Sequence, residues 1–224
     1  KILMREAASL ILVAIVSFLP YCHSLSTPNF SMSQPIVIPE EPPETDASNC
    51  VYPPEYEGHL DRLMVRQDAL LARIQELAKD IAKDYAGQRP VVLCVLKGAN
   101  PFYQHLLDAL MDLKQGFYTE FLRVSSYEGT NSSGQISIGG GLRMEELQNR
   151  HVIVIEDIVD TGTTLSQLLP MLKEQAPTIK SLEVCTLLSK RIGKPAKCEA
   201  KYVGFSIPNH FIIGYGLDYN ELYR

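Results

Sequence analysis

The chain has 224 residues, 46% of them hydrophobic and 21% charged, which suits one globular domain with a sizeable core and room for a small subdomain. Its net charge of −5 argues against a general nucleic-acid binder, though not against a local basic pocket. The five cysteines (Cys22, Cys50, Cys94, Cys185 and Cys198) are odd in number and lack zinc-ligand spacing, so a reducing compartment fits them.

In chain order, residues 4–25 come first, with one arginine (Arg5), an apolar run from Leu10 to Leu19 and small polar residues beyond. This is the layout of a secretory signal, too short for a comfortable membrane helix. The competing and favoured reading is translated upstream sequence, with Met32 starting the working protein. Residues 1–31 are therefore set aside as a signal-like or spurious extension. Residues 20–58 are rich in Pro, Ser and Glu and read as irregular chain, in which "PIVIP" could be a short strand.

From Asp68 the pattern becomes helical. Leu70, Leu71, Ile74, Leu77, Ala78, Ile81 and Tyr85 are assigned to one face. Arg73, Glu76, Lys79, Asp80 and Lys83 are assigned to the other. Gly87 stops this helix and Pro90 prevents its resumption. "VVLCVL" (91–96) reads as a buried strand, and Lys97-Gly98 follow it. Asn100 can cap the next helix, with Pro101 at its first position and Phe102, Leu106, Leu107 and Leu110 on its buried face. "FYTEFLRV" (117–124) is a strand, and residues 125–141 form a long polar, glycine-rich loop or loose hairpin. "VIVIEDI" is the next strand. Thr163–Gln175 is a helix that Pro170 could kink. "SLEVCTLLS" (181–189), "KYVGFSI" (201–207) and "FIIGYGL" (211–217) complete the strands. Strands alternating with helices imply a parallel sheet covered on both faces, with ligands beyond the carboxyl ends of its strands.

The stretch "HVIVIEDIVDTGTT" (151–164) carries the chemistry. An acid at the end of an apolar strand occurs in any doubly wound domain. The turn that follows narrows the choice. Backbone N–H groups and threonine hydroxyls entering a helix make an anion site, and no P-loop motif is present. A phosphorylated ribose needs both halves. Its phosphate takes the turn's donors, and its cis-diol donates to Glu156 and Asp157, which as carboxylates only accept.

Four apolar residues, two acids, two apolar residues and Asp-Thr-Gly-x-Thr closely resemble the phosphoribosyl-pyrophosphate signature of the type I phosphoribosyltransferases. "CVLKGANPF" (94–102), "FLRVSSY" (121–127), "LLSKR" (187–191) and residues 203–224 extend the resemblance to the branch acting on hypoxanthine and guanine. It runs from about Ile36 to Arg224.

The resemblance implies a parallel twisted α/β sheet with helices on both faces, plus a small hood built from N- and C-terminal segments. Residues 32–60 would contribute to that hood, and residues 61–224 would form the transferase domain. Relatives continue for a short final strand, so a truncated C-terminus is expected. The implied reaction moves a phosphoribosyl group from phosphoribosyl pyrophosphate to hypoxanthine or guanine, giving IMP or GMP and pyrophosphate, with Mg2+. The implied assembly is a homodimer or homotetramer in the cytoplasm, with neither nucleic acid nor membrane as partner. A glycan on the sequon Asn131-Ser132-Ser133 would sit on the closing loop, which also weighs against export.

Residue by residue, Asp160 matches the proton acceptor near N7 of the base. Glu156 and Asp157 match the ribose acids. Ile158, Val159, Thr161, Gly162, Thr163 and Thr164 match the segment holding sugar and 5′-phosphate, with Thr163 standing where many relatives carry Lys. Lys97, Gly98 and Arg224 match the pyrophosphate site, whose Leu96-Lys97-Gly98 loop holds a non-proline cis peptide in the family. Lys190, His210, Phe211 and Ile212 match the base site, where Lys190 would donate to the purine 6-oxo group. Ser126 and Tyr127 match a mobile loop that closes over the substrates. Asp218 matches a magnesium ligand. Without the resemblance, Lys97 reads as an exposed lysine after a strand, Lys190 as part of a surface pair, and Phe211 and Ile212 as core. Two other functions stay open: a non-catalytic regulator that binds phosphoribosyl pyrophosphate, and a transferase for another base.

Overall fold

A computed structural model of the chain describes residues 10–12, 34–41, 52–126 and 136–224. Its elements are β1 (Leu10–Leu12), β2 (Ile36–Val37), β3 (Leu60–Leu63), α1 (Gln67–Asp84), β4 (Val91–Leu96), α2 (Asn100–Asp112) and β5 (Tyr118–Ser126). They continue with β6 (Ile136–Gly139), β7 (His151–Val159), α3 (Thr163–Gln175), β8 (Ser181–Arg191), β9 (Tyr202–Pro208) and β10 (Ile212–Ile213).

Seven strands form the main sheet, in the order β2-β9-β8-β7-β4-β5-β6. Every pair is parallel except β5 with β6, an antiparallel hairpin at the edge. The central strands are apolar on both faces because alternate side chains enter different cores. Val92, Cys94, Ile153, Ile155, Cys185 and Leu187 pack toward α1 and α2. Val91, Leu93, Val95, Val152, Val154 and Val184 pack with Leu165, Leu168 and Leu172 of α3. The expected parallel sheet with helices on both faces is therefore observed. β10, β1 and β3 make a second, three-stranded sheet, and its strand β1 comes from the stretch 1–31 that sequence reading sets aside. Leu63, Ile213 and Tyr223 form a small buried cluster, with the Tyr56 ring tilted against Tyr223 at 4.2 Å.

Several expectations change in detail. Ala99 occupies the N-cap of α2, and Asn100 is its first helical residue. Helix α3 runs on through Pro170 to Gln175. The long segment after residue 124 is a hairpin, Arg123↔Gly139 to Ser126↔Ile136. Tyr127 lies outside the described residues, as do residues 1–9 and 13–33 of the N-terminal stretch. The strand expected over 211–217 stops after Ile213. Positive φ at Gly214, Tyr215 and Gly216 (89°, 53° and 96°) bends the chain into a turn closed by mutual Gly214–Leu217 bonds. A second turn, closed by Tyr219 and Leu222, follows directly.

Arg73 is the larger correction. It is only 2% exposed and does not share the solvent face of α1. Three residues after Leu70 and four before Leu77, it lies within the apolar stripe by helical angle. Its Nε donates to Gly204 O at 2.9 Å, and its Nη2 to Val203 O at 2.8 Å and Gln34 O at 2.9 Å. Nη1 pairs with Glu76 at 2.7 Å. One guanidinium thus ties α1, β9 and the approach to β2 together. Arg73→Met keeps most of the packing volume but leaves these carbonyls unpaired. It should lower the unfolding free energy by about 3 kcal/mol in urea titrations; a loss within the error of the fit would mean that water replaces the clamp.

Candidate functional site

Strands β4, β7 and β8 run parallel, so their carboxyl ends deliver Lys97-Gly98, Glu156 to Asp160 and Lys190 to one edge of the sheet. Two cavities open there. The first, about 330 Å³, is lined by Val95, Leu96, Gly98, Glu156, Asp157 and Thr164 together with Val124 and Ile136 of the hairpin. The second, about 250 Å³, is lined by Asp157, Ile158, Asp160, Lys190, Phe211, Ile212, Leu217 and Asp218. Asp157 is the lining residue common to both.

The two acids are crowded. Burial and the neighbouring Asp157 charge push the Glu156 carboxyl well above the usual carboxylate range. Its Oε2 is enclosed without a hydrogen-bond partner. Asp157 is pushed up to about 6, chiefly by burial and with Asp218 adding to the rise, while the Ile158 and Asp157 amides and Arg224 oppose it. Asp157 Oδ1 accepts the Ile158 N–H at 2.7 Å. Such acceptors favour a ligand that brings hydroxyl donors or positive charge.

The loop after β4 presses on this pair. The Leu96–Lys97 peptide is cis, as the resemblance implies. A Cβ on Gly98 would lie 1.8 Å from Asp157 Oδ2, so a side chain there would force the Asp157 carboxylate to move. Gly216 is equally confined from the other side, because its Cβ would lie 2.0 Å from Gly98 O. The turn after β10 thus stacks on the β4 loop, which stacks on Asp157.

Beyond β7, Gly162 caps α3 with φ 71°. Thr161 and Thr163 share a hydroxyl–hydroxyl bond of 3.0 Å, and Thr164 faces the first cavity. N–H groups and hydroxyls at the start of this 13-residue helix suit an anion. Val159 is buried beneath them, and Ile158 turns to the second cavity.

In that second cavity Lys190 Nζ pairs with Asp160 Oδ2 at 3.0 Å. Phe211 is 45% exposed and stands edge-on to Tyr219, while Ile212 beside it is buried. His210 lines neither cavity; its Nε2 donates to Glu40 O at 3.3 Å. Asp218 accepts the Glu221 N–H at 2.7 Å and pairs with Arg224 at 3.0 Å. Arg224 also donates to Gly216 O at 2.7 Å, and Lys97 Nζ pairs with Glu221 at 2.8 Å. Ser126 is the last residue of β5.

Most of the sequence-derived site residues therefore meet at one edge. His210 stands apart from the cavities. Glu221 is the polar contact that sequence reasoning missed. It meets Lys97 across 124 residues of chain, a separation that no local spacing reveals. Among the described residues no three acidic, His or Cys side chains converge as a ready-made metal cage. The orphaned Glu156 oxygen and the raised Asp157 do suit a dication that brings most of its ligands with it, as magnesium does.

Residues 64–220 match the family model of the phosphoribosyl transferase domain. The chain is 34% identical over 200 residues to the rat hypoxanthine-guanine phosphoribosyltransferase, covering 87% of this chain and 91% of that protein. To the human hypoxanthine-guanine phosphoribosyltransferase it is 34% identical over 195 residues, covering 84% and 88% respectively. Among solved structures, a hypoxanthine phosphoribosyl transferase from Trypanosoma cruzi superposes with a TM-score of 0.63 at 41% identity, over 70% of this chain and 83% of that one. A hypoxanthine phosphoribosyltransferase from Staphylococcus aureus gives 0.61 at 39% identity, over the same 70% and 83%.

The raised acid has a cost that pH exposes. With its folded pKa above the unfolded value, Asp157 favours the fold while protonated in both states, and that advantage is lost as pH rises through about 6. Asp157→Asn should therefore raise the melting temperature of the free protein by about 5 °C at pH 8, with the gain gone by about pH 4. Equal melting curves for both proteins at pH 8 would refute the crowding.

Proposed function

The chain belongs to the phosphoribosyl transferase family, and on that premise we propose that it is a purine salvage enzyme acting on hypoxanthine and guanine. It transfers the phosphoribosyl group of phosphoribosyl pyrophosphate to N9 of either base, forming IMP or GMP and releasing pyrophosphate. The observation that carries this reading is the position of Asp157, the carboxylate that lines both cavities at the carboxyl edge of the sheet. The names and identities of the relatives support the same choice of base.

In the first cavity the 5′-phosphate takes the N–H groups and hydroxyls of Thr161 to Thr164, with Ile158 and Val159 supporting the turn. Glu156 and Asp157 accept the ribose diol. Lys97, the Gly98 amide and Arg224 take the pyrophosphate. In the second cavity the purine lies on Phe211, its edge read by the Ile212 backbone and by Lys190. A lysine donor there satisfies O6 of hypoxanthine and guanine, whereas the adenine 6-amino group would leave it unpaired. His210, which stands apart from the cavities, is assigned to the same base site on the resemblance alone. Asp160 is held beside Lys190 in the free protein. It receives the N7 proton as N9 attacks C1′ and the C1′–O bond to pyrophosphate breaks, through a transition state of oxocarbenium character. Ser126, at the end of β5, and Tyr127, next in the chain, close over the reacting groups and exclude water. Asp218 would hold magnesium, and the bound ion would neutralise charge on the leaving group. The remaining steps are positioning and preset electrostatics.

The same reading makes the protein a cytoplasmic homodimer or homotetramer. Cys94, Cys185 and Cys198 are free thiols, in keeping with a reducing compartment. No helix among the described residues is long and apolar enough to cross a membrane.

A spectrophotometric assay with each base offered separately, with and without magnesium, tests the proposal: hypoxanthine and guanine should be consumed and adenine left. Within it, Asp160→Asn should cut turnover about 10²-fold while the fold survives. Turnover near that of the parent protein would remove Asp160 from the chemistry. Lys190→Gln should relax discrimination against adenine by about tenfold or more, read as the ratio of kcat/KM values. An unchanged ratio would assign base choice elsewhere.

A further inference from the structure

We propose that Glu221 is a built-in competitor for pyrophosphate, holding in the free protein the two cations that the leaving group occupies during turnover. The proposal rests on the reading of Lys97 and Arg224 as the pyrophosphate site. A single oxygen, Glu221 Oε2, lies 2.8 Å from Lys97 Nζ and 3.4 Å from Arg224 Nη2. A carboxylate between a lysine and an arginine is where a phosphate oxygen would sit.

The backbone presents it there. Asn220 and Glu221 have φ of 51° and 66°, a conformation that residues with a Cβ rarely adopt. The turn is closed by mutual Tyr219–Leu222 bonds of 3.0 Å and by the Glu221 N–H donating to Asp218. Fold stability does not account for the arrangement. The Lys97 and Glu221 side chains are 50% and 64% exposed, and ion pairs so exposed contribute little.

Two consequences follow for the reaction. Incoming pyrophosphate displaces Glu221 instead of meeting bare cations, which weakens its binding. Outgoing pyrophosphate is replaced as it leaves, which eases release. Glu221 does not line the second cavity, so base binding is untouched.

The test is calorimetric titration of the full chain with magnesium pyrophosphate at low salt, for the parent, Glu221→Gln and Glu221→Ala. Both variants should bind about two- to fivefold more tightly, with the gap closing at high salt and KM for hypoxanthine unchanged. A residue that merely shaped the turn would move both constants or weaken both. Variants that melt like the parent yet bind pyrophosphate no more tightly would overturn the proposal alone. A parent chain that binds no magnesium pyrophosphate would overturn it together with the assignment of Lys97 and Arg224.

Discussion

Two adjacent carboxylates at the end of the central strand set the terms for the rest of the molecule. Like charges side by side in a partly enclosed place are unfavourable. The Glu156 and Asp157 carboxyls register this as raised proton affinity, and one Glu156 oxygen is left without a donor. A fold accepts that cost only where the surroundings are rigid enough to keep the acids from turning away. Here rigidity comes from a sheet whose central strands are apolar on both faces, locked between α1 and α2 on one side and α3 on the other. The same framework leaves the strand ends free to carry polar groups, because parallel strands finish together at one edge.

The chain then closes in from two directions. Gly98 brings the β4 loop against Asp157, and Gly216 brings the turn after β10 against Gly98. Arg224 fastens this stack through Gly216 O and Asp218. Residues from positions 97 to 224, to which the proposed function assigns sugar, pyrophosphate and base, thus stand on one layered contact.

Much of this was legible in the sequence, for identifiable reasons. Strands β4 and β7 announce themselves as short apolar runs, and the acid–threonine turn carries its chemistry in adjacent residues. Resemblance added Lys190, Phe211 and Asp218, whose local patterns are bland. The failures have equally local causes. Arg73 was sorted by residue type when its helical angle placed it within the apolar stripe, and the structure buries it against three carbonyls. The run 211–217 looked like a strand because nothing in "FIIGYGL" warns that Tyr215 takes a φ of 53° between two glycines. The Lys97–Glu221 pair joins distant parts of the chain, and contacts of that kind arise only from topology.

That Asp157 borders both cavities has a thermodynamic corollary. One carboxylate cannot offer its oxygens and its field to two guests independently. Whatever a sugar does to that charge, a neighbouring heterocycle must feel, and linkage requires the influence to be equal in both directions. Saturation curves for either guest should therefore shift with the concentration of the other, so that cooperativity in this small protein needs neither a second subunit nor a change of shape.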